Sequence, residues 1–486
     1  MKLEKVLKFF NLDLSSATGG LVLVIATYIL VKIIQNAINW VIIGRKEPPG
    51  PIGLPIVGYL PFLGKEPYKT FLKLREKYGN IIGLYFGRKY TVVLNEYNAV
   101  KQVLSHPAAL NRALGQLDHL DPHGIMNTNG EIWKEQRKYC MSTSQELGLG
   151  RGHWEDSIMD EIARFTGKIQ EFKGQPVEIS DYLMHSLISN VITLLIVYTG
   201  ASFLASAVPG LRKFCEVFKI GGYDKAAQYN REFALFLKEE ISRHKTPEFK
   251  DVQDFINSYL NKLAELSESK NTNHFFSEPE LEGNLTSLFL GATHTIFSSL
   301  GWLFRIMSAH KDIQETVYKE LMEATGLDGR ARYDERDKIP YTFAVLMEGQ
   351  RYASNVPMSG NRIATDDIPV NGYVIPKGTE MTANLWVLHH DPNYWDEPEE
   401  FRPERFLTAD GTKIIKQPQS YAPFSVGRRN CPGEAVAWME ILLYFSETLK
   451  KFEISTPPGV EPEFKIVPGI VEHLDHQPLC FKERKI

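Results

Sequence analysis

Cysteine is scarce in this chain. Its 486 residues hold four, Cys140, Cys215, Cys431 and Cys480. No two form a CxxC pair and few histidines lie near them, which speaks against a structural zinc site. Four unpaired-looking cysteines suit a reducing compartment. An excess of positive charge is also missing: the formal net charge is −4, which gives no support for nucleic-acid binding. There is no internal repeat, no low-complexity tract and no Ser/Gly linker. Length alone suggests about three domains. Nothing divides the chain, however, and 43% hydrophobic residues allow one sizeable core. No convincing dinucleotide fingerprint is present.

One uncharged run stands apart. From Ala17 to Ile43 only Lys32 is charged. Its length and apolar content suit one transmembrane helix, with Lys32 snorkelling. A cleavable secretory signal fits less well, because the run is long and has no A-x-A site. Arg45-Lys46 follows and favours a cytosolic exit, although Lys2, Lys5 and Lys8 weaken that argument. Then comes Pro48-Pro49-Gly50-Pro51-Ile52-Gly53-Leu54-Pro55, a stiff non-helical lead-in.

Further on, Ile81–Leu94 and Asp367–Met381 read as hairpins around Gly87-Arg88-Lys89 and Asn371-Gly372. Glu155–Phe172 and Val252–Glu268 have helical period, as do most other long segments. His389–Arg405 reads as a long irregular loop. The fold class expected is mainly α with small β-sheets. Asn284-Leu285-Thr286 fits a glycosylation sequon, but its place inside a helix makes it a chance match.

The most informative stretch is Phe424-Ser425-Val426-Gly427-Arg428-Arg429-Asn430-Cys431-Pro432-Gly433-Glu434. One cysteine lies in a glycine-punctuated loop before the helical pattern Glu434–Leu449. Gly427 and Gly433 allow turns that a side chain would block. The helix N-terminus and the arginines favour thiolate over thiol. A thiolate held this way is a metal ligand or a nucleophile; the bland alternative is a buried structural cysteine. Upstream, Glu348 and Arg351 share a helix face in an apolar segment, Tyr341–Ser354. A buried pair of this kind needs further partners, and Phe401-Arg402-Pro403-Glu404-Arg405-Phe406 offers one. The alternative is an ordinary exposed pair. Trp133 and Arg137 also share a face. Glu280–Leu300 reads as one long, mostly apolar helix, whose Gly291, Thr293, Thr295, Ser298 and Ser299 could open its hydrogen-bond ladder and bend it.

Together, Phe424, Gly427, Arg429, Cys431 and Gly433 resemble the heme loop of the cytochromes P-450, in which the cysteine ligates iron. The other motifs occur in the family's order, and the resemblance runs from Pro48 to the C-terminus. It implies heme b (iron protoporphyrin IX) with Cys431 as axial ligand. Glu348, Arg351 and Arg405 would form an ion triad with a structural role. Trp133, Arg137 and Arg429 would meet the heme propionates, with Arg112 and Arg362 as further candidates. Arg362 stands where close relatives often carry His. Thr295 matches the threonine that hydrogen-bonds iron-bound oxygen, and His294 stands at the position of the family's acid. It is either a proton relay or a bystander.

The layout resembles animal microsomal members: an anchor over 1–44, a proline-rich hinge over 45–55 and a heme domain over 56–486. The implied place is the endoplasmic reticulum membrane, with the catalytic domain facing the cytosol. The implied reaction is NADPH-dependent monooxygenation of an apolar small molecule. Electrons would come from a flavoprotein NADPH–cytochrome reductase, with cytochrome b5 as an optional second donor. Lys134, Lys138, Arg428 and Lys450 are candidates for its docking patch, against a plain solvated face. Substrate contacts fall in Pro107–Met126, Ala292–Thr295, Val356–Met358 and Pro468–Ile470. A heme-thiolate isomerase that rearranges a peroxide without a reductase is the alternative.

Overall fold

The computed structural model describes residues 46–113, 122–147, 152–190, 223–249, 253–270, 272–415 and 418–485, with a few positions between 24 and 31. The proposed anchor, Cys215 and residues 114–121 of the expected substrate region lie outside the described residues. Among those described, no helix is long and apolar enough to cross a membrane.

Helices dominate, with small sheets beside them. The longest, Glu278–Ala309, spans 32 residues. Ser277 caps its start, its hydroxyl accepting from the Glu280 N–H at 3.3 Å. A proline and two acids, Glu278 and Glu280, occupy the first turn, where the helix dipole favours them. From Ile296 onward nearly every residue is buried, so this half runs through the core. There it packs with Pro340–Ala353 and Glu434–Lys451 in the largest apolar cluster. The long helix continues unbroken past its hydroxyl residues. Their hydroxyls are turned to carbonyls instead: Thr293 to Phe289, Thr295 to Gly291 and Ser299 to Thr295.

The main sheet has five strands in the order β1-β2-β7-β4-β3. β1 (Ile81–Phe86) and β2 (Lys89–Leu94) form the first expected hairpin, with Gly87 at φ +57° in its turn. The second is shorter than expected. β5 (Ile368–Val370) and β6 (Tyr373–Ile375) pair around Asn371 and Gly372, both at positive φ. The next strand, β7 (Glu380–Ala383), leaves them to run parallel with β2. β3 (Asn111–Arg112) and β4 (Arg362–Ile363) complete this sheet. The proline lead-in is docked on this sheet and on the β5–β6 pair: Gly83 N–H donates to the Pro49 carbonyl at 2.9 Å and Val374 N–H to that of Lys46 at 2.9 Å. The expected loop from His389 begins later, because Leu385–His390 is a short helix.

The last helix carries a buried acid, Glu440, whose carboxyl burial pushes up to about 8. Between pH 4.5, its ordinary value, and 8 the unfolded chain has lost this proton while the folded chain keeps it. Its contribution to stability therefore falls as pH rises through that window. Glu440→Gln removes the titration. Denaturant unfolding across pH 5 to 8 should show a flatter stability loss in the variant; an unchanged slope would mean the carboxyl is ionised in the fold.

Candidate functional site

The Cys431 loop is folded by a few local contacts. Cys431 N–H donates to the Phe424 carbonyl at 2.9 Å, Asn430 N–H to Gly427 at 3.1 Å, and Ser425 N–H to Ala422 at 3.0 Å. Gly427 sits at φ +83°, and a Cβ there would strike the Leu104 carbonyl, so this position requires glycine. Gly433 differs from expectation. Its φ is −93°, and a Cβ would find only the Cys431 sulfur, at 4.0 Å. Phe424 anchors the loop, meeting the Trp438 ring edge-on at 5.4 Å.

Cys431 itself is accessible, yet it lies in a densely packed setting. Burial raises its thiol above the ordinary value; the Gly433 N–H and Arg137 pull it down, while Glu434 pushes it up. The helix end and one arginine thus favour thiolate, as expected, but desolvation outweighs them. A coordinated metal ion would supply the missing charge and strip the proton outright.

Four arginines meet beside this loop. Arg112 and Arg362 are direct partners across the β3–β4 pair, where like charges repel. Arg429 lies with its guanidinium carbon 4.5 Å from the Trp133 ring centre, and Arg137 at 5.8 Å. Arg429 donates to the carbonyls of Leu110, Ile125 and Thr128 and to Asn129 Oδ1. Arg137 donates to Asn430 Oδ1 at 3.0 Å, and Arg362 to the Arg429 carbonyl at 2.8 Å. Burial, then Arg112, Arg429 and Arg137, push Arg362 down. Burial, then Arg112 and Arg137, do the same to Arg429. Guanidinium groups do not lose their charge in proteins, so the push is a repulsion that an anion would relieve.

Three buried donors in this cluster have no partner among the described residues: Trp133 Nε1 and the Nε and Nη1 of Arg362. Orphaned buried donors of this kind ask for an acceptor. Four cations and an indole N–H beside a cysteine fit an iron porphyrin, which carries two carboxylates. Trp133, Arg137, Arg112, Arg362 and Arg429 are the residues that would hold them, and Cys431 the one that would hold iron. Asn129 belongs to the same cluster. It binds Arg429, and it brackets Arg112 by accepting from its N–H at 2.7 Å. An Asn directly before a helix was its only signal.

The Glu348 carboxylate organises the approach to the loop. Arg351 clasps it with two donors, at 2.7 and 2.8 Å. Arg405 Nε donates to it at 3.0 Å and Arg402 N–H at 2.9 Å. Both members of the Glu348–Arg351 pair are 0% exposed, which excludes the surface-pair alternative. The rest of the Arg351 fork binds carbonyls of His389, Pro398 and Glu400. His389 was missed in the sequence. Its Nε2 accepts from the Ala422 N–H at 3.1 Å, so its Nδ1 carries the proton and faces Ser354 Oγ at 2.6 Å. It ties the loop to the end of the helix that bears Arg351.

On the long helix, Thr295 donates to the Gly291 carbonyl at 2.6 Å. His294 points elsewhere, to His473 on β10 (His473–Leu474), with ring centres 5.3 Å apart. Burial, then His473, lower His294 to about 4. The expected docking patch loses one member. Lys450 is buried and bonds the Gly329 carbonyl, whereas Lys134, Lys138 and Arg428 are exposed. Asn284 is buried against Gln136, which rules out a sugar there.

Arg351→Ala leaves Glu348 buried with only the Arg405 side chain as charged partner. The expected cost is roughly 3–5 kcal/mol, read as a lower denaturant midpoint. A variant as stable as the parent would show that the pair is already solvated in the fold.

A family model for Cytochrome P450 matches residues 48–204 and 211–479. Cytochrome P450 18a1 of Drosophila melanogaster is 29% identical over 480 residues, covering 91% of this chain and 88% of that one. Cytochrome P450 2K4 of Oncorhynchus mykiss is 30% identical over 478 residues, with 90% and 92% covered. Cytochrome P450 2B4 of Oryctolagus cuniculus is 30% identical over 443 residues, with 86% and 89% covered. A cysteine loop, an arginine cluster short of an anion and a match over nearly all the chain lead to one conclusion: the chain belongs to the cytochrome P450 family.

Proposed function

We propose that this protein is a heme-thiolate monooxygenase that inserts one atom of O2 into an apolar organic substrate and reduces the other to water. One observation carries the reading: Cys431 stands beside four arginines, and in that cluster Trp133 Nε1 and two donors of Arg362 lack an acceptor among the described residues. Bound heme would supply the oxygen chemistry, with a cysteinate pushing electron density onto iron. This chain's residues do the rest. Trp133, Arg112, Arg137, Arg362 and Arg429 hold the carboxylates. Gly427 allows the loop to lie against Leu104, and Gly433 N–H points at the sulfur. Glu348, Arg351 and Arg405 fix the segment that leads to the loop. Thr295 offers a hydroxyl on the long helix.

Electrons reach such a site from outside. A flavoprotein NADPH–cytochrome reductase is the proposed donor, with cytochrome b5 as a second, and exposed Lys134, Lys138 and Arg428 as the docking cations. Residues 1–44 are proposed as a single-pass anchor in the endoplasmic reticulum, followed by the lead-in 45–55 and the heme domain 56–486.

The ferrous carbonyl spectrum tests the central claim. The heme-loaded protein should show the red-shifted Soret band of thiolate ligation, and Cys431→Ser should lose it while retaining part of its heme. A heme-loaded parent without that band would overturn the assignment. NADPH-driven turnover separates the monooxygenase from an isomerase, which would accept peroxide with no reductase. Deleting residues 1–46 should move the protein from the membrane pellet to the supernatant with the band intact; loss of heme on deletion would show that anchor and heme domain are not separable.

A further inference from the structure

The Tyr68 hydroxyl lies 2.9 Å from two carboxyl oxygens, Glu66 Oε1 and Glu472 Oε2. A phenol brings one proton and can donate to only one of them. Both contacts are hydrogen bonds only if one of the acids brings a second proton. Tyr68 keeps its own: burial, then Glu472, push its hydroxyl far above the ordinary range. Glu66 is the poorer holder. Burial pushes it up, but Lys69, at 2.6 Å, and the Tyr68 hydroxyl together bring it below its ordinary value. Glu472 is 2% exposed. Burial raises it to about 7; the Tyr68 hydroxyl and Lys69 pull it down, and Glu66 pushes it up. The second proton therefore sits on Glu472. Glu472 donates to the Tyr68 oxygen, and Tyr68 donates to the Glu66 carboxylate.

These two hydrogen bonds join distant parts of the chain. Tyr68 lies in the first turn of the helix Pro67–Tyr78. Its carbonyl accepts from Asn384 Nδ2 at 3.0 Å and its ring lies 5.3 Å from that of Trp386, so the hydroxyl is a fixed point. Glu472 immediately precedes β10, which pairs with β9 (Ile466–Val467). The Glu472 backbone is fastened separately: its carbonyl accepts from the Ser298 hydroxyl, and its N–H donates to the Asn355 carbonyl at 2.7 Å. Asn355 in turn donates to the Thr295 carbonyl at 3.1 Å and to Ser299 Oγ at 3.0 Å. The foot of the hairpin thus reaches from the Thr295 turn to the helix Pro67–Tyr78, and its loop exposes Ile470. Glu66, Tyr68 and Lys69 are the charged and titratable groups that face Glu472. On the long helix the titratable neighbour, His294, faces His473, and burial lowers both rings.

We infer that Glu472 is a positioning residue: as a carboxylic acid it bolts the β9–β10 hairpin to the helix Pro67–Tyr78, and its one proton sets how long an apolar ligand stays over the Thr295 turn. The inference rests on the monooxygenase reading above, which puts substrate at that turn. When Glu472 loses the proton, one hydroxyl proton is left between two carboxylates. One of the two bonds breaks, and two like charges face each other across a buried phenol. The backbone bonds to Ser298 and Asn355 remain, so the hairpin loosens without unfolding. The ordinary acid loses its proton near 4.5, the folded one near 7. The bolt is therefore lost as pH rises through neutrality, closed at about pH 6 and open at about pH 8.

Two measurements on the heme-loaded protein test this. The first follows the carboxyl itself, by infrared difference spectroscopy between about pH 6 and 8. The parent should lose the carbonyl stretch of a buried acid. Glu440, raised to about 8, contributes its own band, so the Glu472 signal is the part that Glu472→Gln lacks. The second is the dissociation rate of phenylimidazole, an apolar probe that binds heme iron, followed in its optical spectrum by stopped flow. In the parent this rate should rise roughly tenfold across the same range, the low end for one hydrogen bond to a charged group. Glu472→Gln offers Tyr68 an amide N–H at every pH and should keep the slow rate throughout. Tyr68→Phe removes the bridging hydroxyl and should give the fast rate throughout; should it fail to load heme, Glu472→Gln decides alone. The probe's own titration is common to all three proteins, so the differences among them carry the result. A parent rate indifferent to pH, a rate step that survives in Glu472→Gln, or infrared bands identical in parent and Glu472→Gln would overturn the inference. A heme-loaded parent without the thiolate carbonyl band would overturn the monooxygenase reading and the positioning role with it, while the infrared band would still report the shared proton.

Discussion

One buried carboxylate, that of Glu348, holds together the parts on which the site depends. A charge with no solvent exposure survives only if its desolvation is offset on several sides. Glu348 achieves this with two guanidinium groups and a backbone N–H. The partners come from one helix and from the segment near Arg405, 57 residues on. Arg351 then spends its remaining donors on the His389, Pro398 and Glu400 carbonyls. The pair therefore works as a knot in the backbone. Through His389, which takes the Ala422 N–H, the knot extends to the strand of chain that opens the cysteine loop.

The loop held in this way faces a second electrostatic problem of opposite kind. Glu348 is a charge with too many partners to move; the arginines near Cys431 are charges with too few. The β3–β4 pairing places Arg112 opposite Arg362, and Trp133 spreads its ring between Arg137 and Arg429. Cation–π contact offsets part of the repulsion. Carbonyls of Leu110, Ile125 and Thr128 offset more for Arg429. Arg362 keeps two bare donors even so. A fold that accepts this cost is arranged for an anionic guest.

How much of this was legible in the sequence varied with the distance over which each residue acts. Cys431 and the Glu348–Arg351 pair lie within a loop or a helical turn, so their placement was legible from local spacing. The failures are cases where tertiary context decided. Lys450 read as a surface cation, but the last helix is buried around it and its ammonium bonds the Gly329 carbonyl. Gly433 read as a forced turn, yet its backbone is one that any residue adopts. Glu380-Met381 read as the end of a hairpin, but they open a strand, Glu380–Ala383, whose burial pattern, closed on every residue, belongs inside a sheet. His389, Asn129 and Asn355 were missed because each bonds partners tens or hundreds of residues away, and no local pattern records that.

The cysteine loop and the long helix present different electrostatics. Around Cys431 the guest would meet fixed positive charge that titration cannot remove at any working pH. Along the long helix it meets neutral groups: a threonine hydroxyl, two imidazoles lowered by burial, and carbonyls already engaged by Ser299 and Asn355. Desolvation produces both effects. It cannot discharge guanidinium, so it leaves an anion-binding field. It does discharge imidazole, so it leaves neutral rings. The same burial that creates a binding demand on one side thus creates a neutral surface on the other, and His294 is suited to that surface because its ring stays uncharged where a buried carboxylate would have demanded a partner.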